Sequence, residues 1–141
     1  MIQRIQTIWL LLVSALSFLT LQTSVYSGHR INDIIPKPMI FLSAAYNPLL
    51  NITTIAVGVI SLITIFLFKY RKLQIRLSIV ALLLSFTAIA LYYWQSKSFI
   101  TEESSITITA FIPVLIPVIL IIAIRKIWKD EKLVKGSDRL R

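Results

Sequence analysis

Lys69-Tyr70-Arg71-Lys72-Leu73-Gln74-Ile75-Arg76 decides how the rest of the chain is read. It separates two apolar runs, residues 49–68 and 77–94. At a rise of about 1.5 Å per helical residue, each is long enough to cross a hydrocarbon core about 30 Å thick. A membrane hairpin with a cationic turn follows, and the remaining apolar runs are placed relative to it. There are two more, 7–23 before the hairpin and 106–124 after it. The expected fold is an all-α membrane protein, a four-helix transmembrane bundle in one domain over 1–141, with residues 125–141 a basic tail.

Composition agrees with that class. Hydrophobic residues make up 57% of the chain and charged ones 15%, against about 45–50% and about 25% in soluble globular domains. Fifteen Lys and Arg against six Asp and Glu give a formal charge of +9. In a soluble protein that excess would raise nucleic-acid binding. Here the cations sit at the ends of apolar runs, so they read as a topology signal, and no nucleic-acid partner is expected.

Four crossings put the amino terminus, the central turn and the tail on one side. That side holds Arg4, Lys69, Arg71, Lys72, Arg76, Arg125, Lys126, Lys129, Lys132, Lys135, Arg139 and Arg141, twelve cations in all. The other side holds Arg30, Lys37 and Lys97, three cations, offset by Asp33, Glu102 and Glu103. The positive-inside rule makes the richer side cytoplasmic, so both termini are expected in the cytoplasm of a bacterial inner membrane. All of these cations except Arg4 form a candidate interaction surface for anionic lipid headgroups or a partner protein. Each basic residue near an anionic surface contributes on the order of 1 kcal/mol.

Within the spans, small and polar residues recur at helical spacing. Asn51, Thr54, Gly58 and Ser61 form one stripe, and Ser78, Ala81, Ser85 and Ala88 repeat its seven-residue step. Little hydrophobic force drives helices together in lipid, so small residues that let backbones approach mark the expected seam. Ser14, Ser17 and Thr20 give the first span a slightly polar face for the same use. Arg4 ahead of an apolar run, with Val25 and Ser27 beyond it, also resembles a leader peptide. The apolar core from Trp9 to Leu21 reads instead as a full span.

Residues 24–47 are too apolar for a solvated linker and are expected to fold back on the bundle or lie among headgroups, as short strands near 26–31 and 39–44 or as an interfacial helix. Tyr92-Tyr93-Trp94 reads as an aromatic belt. Pro113 and Pro117 predict a bend in the fourth span, since proline removes a backbone donor and crowds the carbonyl four residues before it.

Residues able to do chemistry are missing from the spans. No Asp, Glu, Lys, Arg or His lies inside any of the four runs, whereas ion-coupled carriers keep such groups there at considerable cost. Without cysteine there is no thiol chemistry. The only His, His29, and both Met lie outside the spans, so no haem or metal site is expected; no cofactor is. Serines in the spans have no base beside them, so no enzyme activity is expected. His29, Arg30 and Asp33 lie close together in sequence in a loop and are expected to face water rather than form a site.

Three stretches carry a family likeness: Met1-Ile-Gln-Arg-Ile-Gln-Thr7, Phe66-Leu-Phe-Lys-Tyr-Arg-Lys-Leu-Gln-Ile-Arg-Leu77 and Ile127-Trp-Lys-Asp-Glu-Lys-Leu-Val-Lys-Gly-Ser-Asp-Arg-Leu-Arg141. With them the whole chain resembles a domain-of-unknown-function family of small bacterial four-span membrane proteins. The likeness implies that these marked stretches face the cytoplasm, and it implies no activity, cofactor or catalytic residue.

The expected role is therefore an accessory, assembly or scaffolding subunit that contacts partners or lipid through its basic face, as a homo-oligomer or with another membrane protein. A small oligomeric transporter using Asn51, Thr54 and Ser61 is the competing class. A lipid-binding or lipid-modifying protein using the 24–47 loop is the weaker third.

Overall fold

The computed structural model describes residues 3–28, 40–67, 70–97 and 105–138. Four α-helices run antiparallel in sequence: α1 (Gln3–Gln22), α2 (Pro48–Phe66), α3 (Arg71–Ser96) and α4 (Phe111–Asp138). Each packs on the next and α4 closes back on α1, so the order around the bundle is that of the chain.

On each helix one series of buried residues alternates steps of four and three. They are Gln6, Leu10, Val13, Ser17 and Thr20 on α1; Leu50, Thr54, Val57, Ser61 and Thr64 on α2; Gln74, Ser78, Ala81, Ser85, Ala88 and Tyr92 on α3; and Pro113, Ile116, Leu120, Ala123 and Ile127 on α4. A seven-residue repeat of this kind keeps one seam of each helix facing its neighbours in a left-handed bundle. On α1, α2 and α3 the seam is the more polar side. Large apolar side chains point outward instead, among them Ile8 and Leu11, Ile52 and Ile63, Leu83 and Phe86, and Val114 and Val118. Water would not tolerate so much continuous apolar surface on a monomer, and lipid does. The fold is an all-α bundle of membrane type, in which α2, α3 and the 108–134 stretch ending in α4 are long and apolar enough to span. The apolar part of α1, Gln6–Gln22, is shorter.

At one end, which we call the sheet end, the connections meet in a three-stranded antiparallel sheet of order β2-β1-β3: β1 (Ser24–Gly28), β2 (Ile40–Ser43) and β3 (Ser105–Ile106). Tyr26 pairs with Leu42 on one side and Ile106 on the other, and the β1–β2 register shifts between Ser24 and Tyr26. The Thr109 hydroxyl donates to the Ser24 carbonyl, and the Thr107 amide donates to Val25 at 3.2 Å. The 24–47 segment is thus strand at both ends of its described part, followed by a 3₁₀ turn, Ala44–Tyr46. Asn47 then caps α2, its side chain accepting from the Leu49 amide at 2.9 Å with Pro48 in the first helical turn, which satisfies one orphan donor and uses a proline whose missing N–H costs nothing there.

Several helix boundaries differ from the sequence reading: the first helix begins at Gln3 rather than 7, and the fourth continues to Asp138, so most of the stretch read as the 125–141 tail is helix. The third helix begins at Arg71 rather than 77, because Arg, Lys, Leu and Gln are good helix formers and a Tyr70 amide bond to Leu67 at 2.9 Å already completes the turn. The fourth begins at Phe111 rather than 106, because β3 and a second 3₁₀ turn, Ile108–Ala110, take up the intervening residues. Tyr93 and Trp94 are exposed as an interfacial belt requires, while Tyr92 turns inward. Lys97 Nζ lies 5.0 Å from the centre of the Tyr93 ring.

Candidate functional site

The charged end of the bundle, opposite the sheet, gathers the cations. Arg71 is half-buried, and Lys72, Arg76, Arg125, Lys126, Lys129 and Lys132 are exposed. Lys69, Arg139 and Arg141 lie outside the described residues, as do His29, Arg30, Asp33, Lys37, Glu102 and Glu103; the side chain of Lys135 is likewise not described. Because α3 starts at Arg71, that residue, Lys72 and Arg76 occupy its first turns rather than a free loop.

A polar cluster ties the helices together beneath these cations. The buried Gln6 amide of α1 donates to the Asp130 carboxylate and, at 3.2 Å, to the Lys126 carbonyl of α4. Arg71 Nη1 of α3 donates to the Asp130 carbonyl at 3.2 Å. One turn of α4 is therefore held by α1 and α3 together, and that turn carries Lys126 and Lys129. Sequence reading missed Gln6 and Asp130 because they are far apart in the chain and meet only once the first helix closes against the last. Gln6→Leu removes both α1 bonds and leaves a carboxylate short of a donor, at about 1–3 kcal/mol. The expected result is a lower apparent Tm in detergent, while Gln22→Leu at an exposed position has little effect.

On the outer side of the same turn, Arg125, Trp128, Lys129, Glu131 and Lys132 line a cavity of about 560 Å³. The three cations and Trp128 fall at steps of three, four and seven, so they share one face of α4. Trp128 is 67% exposed. A flat amphipathic ring beside long basic side chains that can snorkel suits the level of lipid phosphates.

The small-residue stripes occupy the bundle interior. Thr54, Gly58, Ser61, Ser78, Ala81, Ser85 and Ala88 are buried, and Asn51 is half-buried. Gly58 is closest to α1: a Cβ there would lie 3.2 Å from the Phe18 ring and 3.4 Å from Ser17 Cβ. Interior hydroxyls mostly bond back to their own helix, Thr54 to Leu50 at 2.7 Å, Thr64 to Ile60 at 2.6 Å and Ser78 to Gln74 at 2.9 Å. Mid-bundle, Leu10, Val13, Val57, Ala81 and Leu120 belong to one apolar cluster. Among the described residues no group of three His, Asp or Glu could hold a metal.

The family model for a domain of unknown function, DUF4293, matches residues 2–140. The chain belongs to that family. No curated protein and no solved structure matches it. The DUF4293 match takes in all four helices, the Gln6–Asp130 contact and the Trp128 face, so these features lie within the family's domain and not in an appendage to it.

Proposed function

We propose that the protein is a non-enzymatic subunit of a bacterial inner membrane that crosses four times, with both termini and the charged end in the cytoplasm. It works as an accessory, assembly or scaffolding component whose basic face holds anionic lipid headgroups and positions a partner protein. The observation that carries this reading is the α4 face of Arg125, Trp128, Lys129 and Lys132, which lines one cavity and sits on a turn fastened by Gln6, Asp130 and Arg71. Cations on an anchored helix turn lose less side-chain and backbone freedom on binding than cations on a free tail, so more of their attraction appears as affinity.

α1 crosses with its neighbours although its apolar part is short, since a bundle partner shields its polar ends and a short span is accommodated by local thinning of the bilayer. The competing transporter reading draws on the interior hydroxyls. Against it, the hydroxyls of Thr54, Thr64 and Ser78 are taken up by carbonyls of their own helices, which leaves them less free to hold a solute.

Affinity purification in mild detergent at native expression tests the role. A membrane protein recovered in fixed stoichiometry supports a subunit; a homo-oligomer alone, with solute flux abolished by Asn51→Leu and Thr54→Val together, replaces it with transport. Deleting residues 132–141 is expected to weaken the complex.

A further inference from the structure

Near the sheet end, Ser17, Thr54, Ser85, Tyr92 and Pro113 line a small cavity of about 10 Å³ inside the bundle. Thr54 and Ser85 spend their hydroxyls on their own helices, donating to Leu50 and Leu82 at 2.7 Å each. Ser17 and Tyr92 differ. Their hydroxyl oxygens are buried and meet no hydrogen-bond partner, and the residues are 0% and 7% exposed. A buried hydroxyl left unpaired is destabilising, so two on one cavity need a physical account.

Two further features direct polarity to the same place. Pro117 has no N–H to give the carbonyl of Pro113, which lines the cavity. Helical side chains lean toward the amino terminus of their helix, and this takes the Tyr92 ring from the sheet end down toward Ala88 and Ser85, where the cavity lies. A water needs about 10–15 Å³ by this measure, roughly one probe sphere, and two to four polar partners.

We propose that this cavity is a hydration site, holding one water between Ser17 Oγ and the Tyr92 hydroxyl, with the Pro113 carbonyl as a further acceptor. The occupant is a single neutral hydrogen-bonding molecule of water's size. There is no room for an ion with its shell. Tyr92 and Pro113 also form part of the wall of a larger groove, about 210 Å³, between α3, α4 and the sheet. That groove offers a rival partner for the Tyr92 hydroxyl, a lipid ester carbonyl.

Ser17→Ala, Tyr92→Phe and the double variant, compared by thermal unfolding of the full chain in one detergent, separate the cases. Each deletes a single oxygen and leaves packing in place. A shared water predicts that each single change lowers Tm by about 3 °C and that the double variant loses less than the sum. Single variants with unchanged or raised Tm mean a dry cavity and overturn the proposal, as do strictly additive losses. The set is repeated after exhaustive delipidation. If the Tyr92→Phe loss then vanishes, the partner is a lipid carbonyl in the groove, and the water assignment is wrong.

Discussion

Gly58→Leu is expected to break the bundle. The position faces α1 so closely that a Cβ there would sit 3.2 Å from the Phe18 ring, tighter than ordinary van der Waals contact, and 3.4 Å from Ser17 Cβ. Alanine can be absorbed, since Phe18 is 38% exposed and its ring can swing outward. A leucine adds three more carbons, aimed into Ser17, which is fully buried and has nowhere to move. Overpacking costs about 1–3 kcal/mol in ordinary cores. The cost here belongs at the upper end or beyond, because the attraction between α1 and α2 in lipid depends on close approach. The expected readouts are loss of the folded species in size-exclusion chromatography and a fall in Tm several times that of Gly58→Ala. Val59→Leu, one residue on and pointing outward, is the matched control and should be silent. Equal effects at 58 and 59 would mean that the small-residue stripe is not the packing seam.

The second large effect is electrostatic. Replacing Arg125, Lys129 and Lys132 with Gln removes three charges from one face of α4, and at on the order of 1 kcal/mol each the preference for anionic over zwitterionic lipid should fall about 100-fold. Trp128 lies within this face and provides the probe. With Trp9 and Trp94 changed to Phe, brominated phosphatidylglycerol should quench Trp128 at far lower mole fraction than brominated phosphatidylcholine does, and the triple-Gln variant should lose the difference. High salt should weaken the preference in the same direction, since surface charges are screened beyond about 10 Å at 0.1 M. Equal quenching by the two lipids before any substitution would mean that the basic residues fix topology and bind nothing selectively.

Much of the architecture is legible without coordinates because bilayer thickness and helix rise set one length. The second span, read as 49–68, is the helix Pro48–Phe66, and the recurrence of Thr54, Gly58, Ser61 and of Ser78, Ala81, Ser85, Ala88 already traces the buried seam of two helices. Contacts made by chain segments far apart were hidden. β3 is two residues long and exists because it pairs with β1; nothing in Ser105 and Ile106 alone announces a strand. Short alternation near residues 26 and 40 left strand and helix equally open, and the pairing of Tyr26 with Leu42 decides it. Tyr92 reads as a belt residue beside Tyr93 and Trp94, yet its place at the end of the 78-81-85-88 series puts it inside. Extending that series by one step would have found it. The polarity of the Gln6 and Asp130 pair is visible in sequence, but only antiparallel closure of α1 on α4 makes them partners.

The most direct test of the account uses the absence of cysteine from the chain. Single cysteines at Asn47 and Lys97 at the sheet end, and at Tyr70 and Lys132 at the charged end, are exposed to a membrane-impermeant maleimide in intact spheroplasts and again after lysis. A four-span bundle with a cytoplasmic basic face predicts that positions 47 and 97 react in intact cells and that 70 and 132 react only after lysis. Labelling of 70 or 132 from outside, or of 47 and 132 from the same side, would contradict it.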